Sequence, residues 1–240
     1  MGNDQPVYAL QAQGLDGRTQ ALTRVEDMAA LYIKEMRAVQ PEGPYFLLGA
    51  SFGGLVIYEM AQQLLAQNQR VALLAMLNTN CPVYSFAKRI RCHVGHLMEK
   101  GPREYAQEIV NRRFSRQVSE AKNKTTSAPN SEIQKVLGKD SGADESLVRT
   151  VLAIMAAEEQ YVQPRGVYPG KITLFWARDM KTDFEDNRMA WRKLAGAGFE
   201  VLVVPGTHTS MREEPHVAEL AAKLRPCLEN NAEGVRLTEE

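Results

Sequence analysis

The sequence predicts an α/β fold built on a mostly parallel sheet flanked by helices, and three observations carry that prediction. The stretch GPYFLLGASFGGLVIYEMAQQLL, Gly43 to Leu65, passes from an apolar run with strand character through a Gly-rich turn into an apolar pattern with helical spacing. Apolar runs of strand length at Arg70–Leu77, Lys171–Ala177 and Phe199–Pro205 are separated by helical patterns, the rhythm of parallel strands joined by crossovers. A chain of 240 residues that is 44% hydrophobic can bury one sizeable core, so one α/β domain carrying an insertion is the default.

Taken in order, PVYALQA, residues 6–12, reads as an early strand followed by a polar loop containing glycine. Thr23 to Glu26 has the spacing of a capping box. It opens a helix with Met28, Leu31, Tyr32, Met36 and Val39 on one face, ended by Pro41 and Gly43. The strand beginning at Tyr45, the turn Gly49-Ala50-Ser51-Phe52-Gly53 and the helix after it come next, then the strand to Leu77. After the interruption described below, Asn187–Ala195 reads as a helix and Met211–Leu228 as the last one, leaving ENNAEGVRLTEE as a frayed tail.

Between Pro82 and Gly170 the strand–helix rhythm stops and the chain turns mostly helical. Phe86–Lys100, Arg103–Glu120 and Glu145–Val162 are the helical patterns, with a polar connector around Lys122–Ser131. An insertion there would lie over the carboxyl ends of the strands, where open α/β sheets bind ligands, and so act as a lid. From Phe86 to Asp140 twelve Lys and Arg stand against six Asp and Glu. That surplus reads either as a solvated surface or as a face for an anionic substrate or acidic partner. The organisation expected is residues 1–81 and 171–230 as the two parts of the core, 82–170 as the lid and 231–240 as a flexible tail.

Formal net charge is zero, so composition gives no argument for nucleic acid. No apolar run approaches the length of a membrane span, and MGNDQPVYALQAQG has neither a basic nor an apolar leader region. Cys81, Cys92 and Cys227 are odd in number and lack metal-ligand spacing, which suits a reducing cytoplasm.

Strand, G-x-S-x-G, helix is the nucleophile elbow: a tight turn exposes a serine Oγ, which demands residues without a Cβ close on either side. The following helix offers free N–H groups, that of Phe52 first, to a developing oxyanion. Among the histidines, His93 and His96 stand i,i+3 on a lid helix with no carboxylate or thiolate set to complete a metal site, so they read as surface residues. His216 beside Pro215 reads as packing or capping. His208, in a Gly-Thr-His-Thr loop after the last strand, follows the serine in the chain order such a site requires and reads as the general base.

QPVYALQAQGLDG, IKEMRAVQPEGPYFLLGASFGG and VPGTHTSMREEPHVAELAAKL resemble the thioesterase domains of nonribosomal peptide and polyketide synthases. The resemblance implies an α/β-hydrolase fold with a helical lid. It also implies release of an acyl or peptidyl chain from the phosphopantetheine arm of a carrier protein, by hydrolysis or cyclisation. Ser51 then maps onto the nucleophile and His208 onto the base, with no cofactor or metal of the chain's own. The partners implied are the acyl or peptidyl carrier protein and the acyl thioester itself, with no nucleic acid or membrane.

Two departures qualify this. The family's acid stands in an L-L-D-T-like motif, where this chain has Met76-Leu77-Asn78-Thr79. An amide can orient an imidazole but carries no charge. The other location, at the end of the next core strand, offers Asp179, with Asp183 and Glu185 less well placed. Asp179 also reads as a helix N-cap or turn residue. Second, the family's strand and H-G-x-G-like oxyanion loop precede PVYALQA, and this chain begins after them. A fragment, a closed sheet, or a second copy completing the sheet as a homodimer would each account for that. Three functions are therefore carried forward: a thioesterase using Ser51 and His208, a catalytically weak carrier-binding domain, and a free-standing serine esterase.

Overall fold

In a computed structural model of the chain, residues 6–82, 145–161, 166–180 and 184–236 are described. Helix α1 (Val25–Val39) leads to strand β1 (Tyr45–Ala50), then helix α2 (Phe52–Ala66) and strand β2 (Val71–Leu77). After the interruption come α3 (Glu145–Gln160), β3 (Lys171–Ala177), α4 (Phe184–Lys193) and β4 (Gly198–Val204), a 3₁₀ turn (Ser210–Arg212) and α5 (Val217–Arg236). The strands form one parallel sheet in the order β1-β2-β3-β4, with Ala50 beside Leu77, Leu77 beside Phe175, and Ala177 beside Val204. This is the parallel sheet flanked by helices that the sequence predicts. Because sheet order follows chain order, right-handed crossovers put every crossover helix on one face. Tyr45, Leu47, Leu74, Met76, Ile172, Leu174 and Trp176 accordingly pack with α1, α2, α4 and the end of α3. The alternate residues, Leu73, Ala75, Leu77, Phe175, Ala177 and Val204, pack with Leu220 and Leu224 of α5.

Helix α2 is buried almost all round, from Gly54 to Ala61, and includes a carboxylate, Glu59, with no exposed surface. Its Oε2 accepts from the Tyr161 hydroxyl and its Oε1 from Gln63 Nε2, each at 2.9 Å. Beside it, the Tyr58 hydroxyl donates to the Gly166 carbonyl at 2.7 Å. Burial pushes the Tyr58 hydroxyl up to about 12 and raises Tyr161 well above the usual phenol range, so both stay protonated donors. Tyr161 and Gly166, which lead toward β3, are thus fastened to α2.

Several sequence expectations are corrected. PVYALQA forms no strand: residues 6–11 are exposed, Val7 and Tyr8 by 71% and 73%. A strand needs a ladder partner, and among the described residues none lies beside this run. Among the described residues, strand β1 pairs only with β2 and no helix covers its outer face, where Phe46 and Leu48 are 40% and 45% exposed. Buried parallel strands do not show that alternation. The capping box does not form either. Helix α1 starts at Val25, fully buried, with Arg24 as an extended N-cap whose guanidinium meets Glu26 at 3.3 Å and Asp27 at 3.9 Å. Burying Val25 sets the start, and the two carboxylates suit the positive end of the helix. Met211 does not open the last helix, since it is buried within the 3₁₀ turn and α5 begins only after Pro215. That helix then runs through Pro226 to Arg236, into residues expected to fray. The two earlier lid helices, their connector, His93, His96, Cys92 and Asp183 lie outside the described residues.

Candidate active site

Parallel strands end together, so the loops after β1, β2, β3 and β4 share one edge of the sheet. Those loops carry Ser51, Asn78, Asp179 and His208 in turn. Ser51 sits at φ 53°, ψ −123°, in the left-handed half of the map that a side chain rarely adopts. Its N–H donates to the Leu77 carbonyl at 2.8 Å, fastening the turn to β2. Its hydroxyl makes no capping bond to α2, so the oxygen is not committed to the helix it precedes. In the first turn of α2 the Gly54 N–H turns back to the Ser51 carbonyl at 3.0 Å, whereas the Phe52 N–H has no intrahelical acceptor.

The glycines around the serine divide unexpectedly. A Cβ at Gly49 would strike the Gly53 carbonyl and come within 2.8 Å of Gly54 N, whereas one at Gly53 would meet nothing within 4 Å. The second indispensable position is Gly54, where a Cβ would run into the Thr79 side chain, within 2.7 Å of its Cβ. The run Gly53-Gly54 was the signal for this close approach, and the motif drew attention to the wrong member. Gly49→Ala should therefore lower stability by about 1–3 kcal/mol, because only backbone can yield. Gly53→Ala should be neutral or stabilise by up to about 1 kcal/mol by removing a flexible helical glycine. Thermal melts of the two variants check the contrast.

His208 lies in a loop held at both ends. Two residues before it, the Gly206 carbonyl accepts from the Asp179 N–H at 3.0 Å. Gly206 has φ +93°, and a Cβ there would sit 2.8 Å from both His216 Cδ2 and Ser210 Oγ, so no side chain fits. His216 thus packs under the loop, and its carbonyl accepts from Glu219 and Leu220 at the start of α5. Thr207 N–H donates to Ser210 Oγ at 2.9 Å, closing a hydroxyl-lined turn around His208. Three residues after His208, fully buried Met211 reaches Asn78.

The two acid positions differ in kind. Asp179 is exposed, tied by its backbone to the His208 loop, while its carboxylate makes no hydrogen bond among the described residues. Asn78 is 2% exposed at φ 47°. Its Oδ1 accepts from the Ala177 N–H at 2.7 Å and its Nδ2 faces Met211 Sδ at 2.7 Å, and among the described residues no hydrogen bond joins the amide to His208. Glu185 is occupied by Arg188, at 2.7 and 3.0 Å. Among the described residues no hydrogen bond joins Ser51, His208 and Asp179. What the arrangement can do chemically is place a serine hydroxyl, an imidazole loop, a carboxylate and free helix N–H groups along one sheet edge. The segment leading into the insertion is clamped by residues that carried no sequence signal. Trp191 Nε1 donates to the Thr79 carbonyl at 2.9 Å, and Asn187 Oδ1 accepts from the Cys81 N–H at 2.7 Å.

In sequence and in fold the chain is similar to known proteins. Residues 2–94 match the thioesterase domain family. Over 78 residues, 32% of this chain and 3% of the relative, the sequence is 51% identical to a dimodular nonribosomal peptide synthase of Bacillus subtilis (strain 168). Over 212 residues, 85% of this chain and 9% of the relative, it is 30% identical to a non-reducing polyketide synthase of Zymoseptoria tritici. The solved NocB thioesterase domain from the nocardicin cluster superposes with a TM-score of 0.60 at 25% identity, covering 92% of this chain and 80% of that one. The chain spans 2% and 3% of the length of two of the curated synthases it matches. Among the described residues, no helix is long and apolar enough to cross a membrane.

Proposed function

We propose that this chain, an α/β-hydrolase core similar to the thioesterase domains of nonribosomal peptide and polyketide synthases, is a serine thioesterase acting on acyl or peptidyl groups carried on a phosphopantetheine arm. The observation that carries the reading is Ser51 held at φ 53° on the strand–helix turn, at the sheet edge to which the His208 loop is also tied. In this mechanism His208 takes the Ser51 proton as Oγ attacks the thioester carbonyl. The Phe52 N–H holds the oxyanion. The pantetheine thiolate leaves, and water or a nucleophile within the chain resolves the acyl-enzyme. Asp179 is the proposed third member, because its backbone is tied to the His208 loop while its carboxylate makes no hydrogen bond among the described residues, and the Asn78 amide is turned to Ala177 and Met211.

The partner is then an acyl or peptidyl carrier protein, and the phosphopantetheine belongs to it. The reading needs no resident cofactor or metal, and it places the chain in the cytoplasm, where such carriers are loaded. A homodimer, with a second copy beside β1, is proposed on the ground that β1 is the end strand among the described residues and leaves Phe46 and Leu48 exposed. The test is release of acyl groups from an acyl-loaded carrier protein, set against a matched oxoester. Faster turnover of the carrier-bound thioester supports the thioesterase, and preference for the oxoester supports a free-standing esterase.

One observation favours a second reading. The amide at Asn78 leaves the family's acid position without charge or, among the described residues, a hydrogen bond to His208. A catalytically weak domain that binds carriers through its basic insertion would tolerate that. A serine-directed fluorophosphonate separates the two: labelling that requires both Ser51 and His208 excludes the inactive domain.

A further inference from the structure

We infer that Asn78 is a positioning residue, one that braces the His208 loop by holding buried Met211 against the ends of β2 and β3. The inference rests on His208 acting as the base. Asn78, just past the end of β2, is joined both to β3 and to the 3₁₀ turn. Its N–H donates to the Phe175 carbonyl at 2.9 Å, its Oδ1 accepts from Ala177 N–H at 2.7 Å, and its Nδ2 meets Met211 Sδ. The Ala177 donor fixes which way the amide points, so the amino group must be the side facing sulfur. Met211 has no exposed surface and lies in the apolar cluster with Leu77, Phe175, Val204 and Leu220. It is the most deeply seated residue of the turn that follows His208.

This geometry accounts for an amide at this position. At φ 47° both Asn and Asp are tolerated. Either could accept from Ala177 N–H. Only Asn has a donor for Met211, and a carboxylate there would set an uncompensated charge against a thioether at a site 2% exposed. Asn78 thus acts on His208 only through Met211, by fixing where the loop closes. A base displaced by about 1 Å loses on the order of 100-fold in rate.

The test uses the full chain with a fluorophosphonate probe, reading the maximal inactivation rate separately from probe affinity. Ser51→Ala serves as the blank. Met211→Leu keeps the buried volume but removes the sulfur. It and Asn78→Ala should each slow inactivation roughly 10- to 100-fold at unchanged probe affinity. The double variant should be no slower than the worse single one, because the two residues form one brace. Asn78→Asp should be slower than the parent. An Asn78→Asp that labels faster, or single effects that multiply, would overturn the brace. Hydrogen exchange of the Thr207–Arg212 amides supplies a readout independent of chemistry. The brace requires faster exchange in Asn78→Ala and Met211→Leu, and unchanged exchange overturns it even if Asn78→Asp fails to fold. A parent chain with no Ser51 labelling but with these exchange effects would defeat the serine–histidine reading and leave the brace standing.

Discussion

Ser51→Ala and His208→Ala should each lower the maximal rate of acyl release from a loaded carrier by about 10⁶-fold, and the double variant should be no worse than either one. The equality is the informative part. A serine without a base, or a base without a serine, leaves only what the helix N–H groups and binding supply, so the two losses cannot add. Neither substitution should unfold the chain. Ser51 contributes no side-chain bond to α2, and alanine at φ 53° bears the same backbone strain. The His208 loop is held through Gly206 and Met211, not through the imidazole. Melting temperatures within the range of an ordinary surface substitution, about 0.5 kcal/mol, check this. A double variant far slower than both singles would show that Ser51 and His208 do not act as one unit. Equal rates in all variants and parent would leave the carrier-binding reading.

The sheet and the elbow were legible because they rest on local rules. Tyr45–Ala50, Val71–Leu77 and Lys171–Ala177 are apolar runs of strand length bounded by turn residues, the last two largely buried on both faces and the first on one. Ser51 was found because its turn is written in five consecutive residues. What stayed hidden depends on distant partners. PVYALQA has the composition of a strand, but composition cannot supply the neighbour whose backbone it would pair with. Thr23 and Glu26 have capping-box spacing, yet burying Val25 decided where the helix began. Met211 looked like one more apolar residue at the head of a helix. Its role depends on Asn78, 133 positions earlier, which no local window contains. The division between Gly49 and Gly53 came from the same cause, since only the packed strand and helix show which Cβ would collide.

Asp179→Asn should lower acyl release by up to about 10⁴-fold, the cost seen when an amide replaces the orienting carboxylate of a serine triad. The case for Asp179 is positional. Its N–H holds the Gly206 carbonyl two residues before His208, so its backbone and the imidazole loop move as one piece. The competing carboxylate Glu185 is paired through its Oε2 with two nitrogens of Arg188, and the amide of Asn78 is turned to Ala177 and Met211. Exposure works against a full effect, because water screens a surface carboxylate that a triad would keep dry. The size of the loss therefore measures how completely the loaded carrier covers this edge of the sheet. A 10⁴-fold loss in carrier-dependent release would mean that Asp179 is dry in the working complex. A loss of only a few fold on a small soluble thioester, growing when the acyl group is presented on the carrier, would show the partner completing the site. Glu185→Gln, which breaks only the Arg188 pair, should change neither rate. If Asp179→Asn is equally silent on both substrates, Asp179 is not the acid. His208 would then act without a charged partner, at the cost in rate that the weak carrier-binding domain implies.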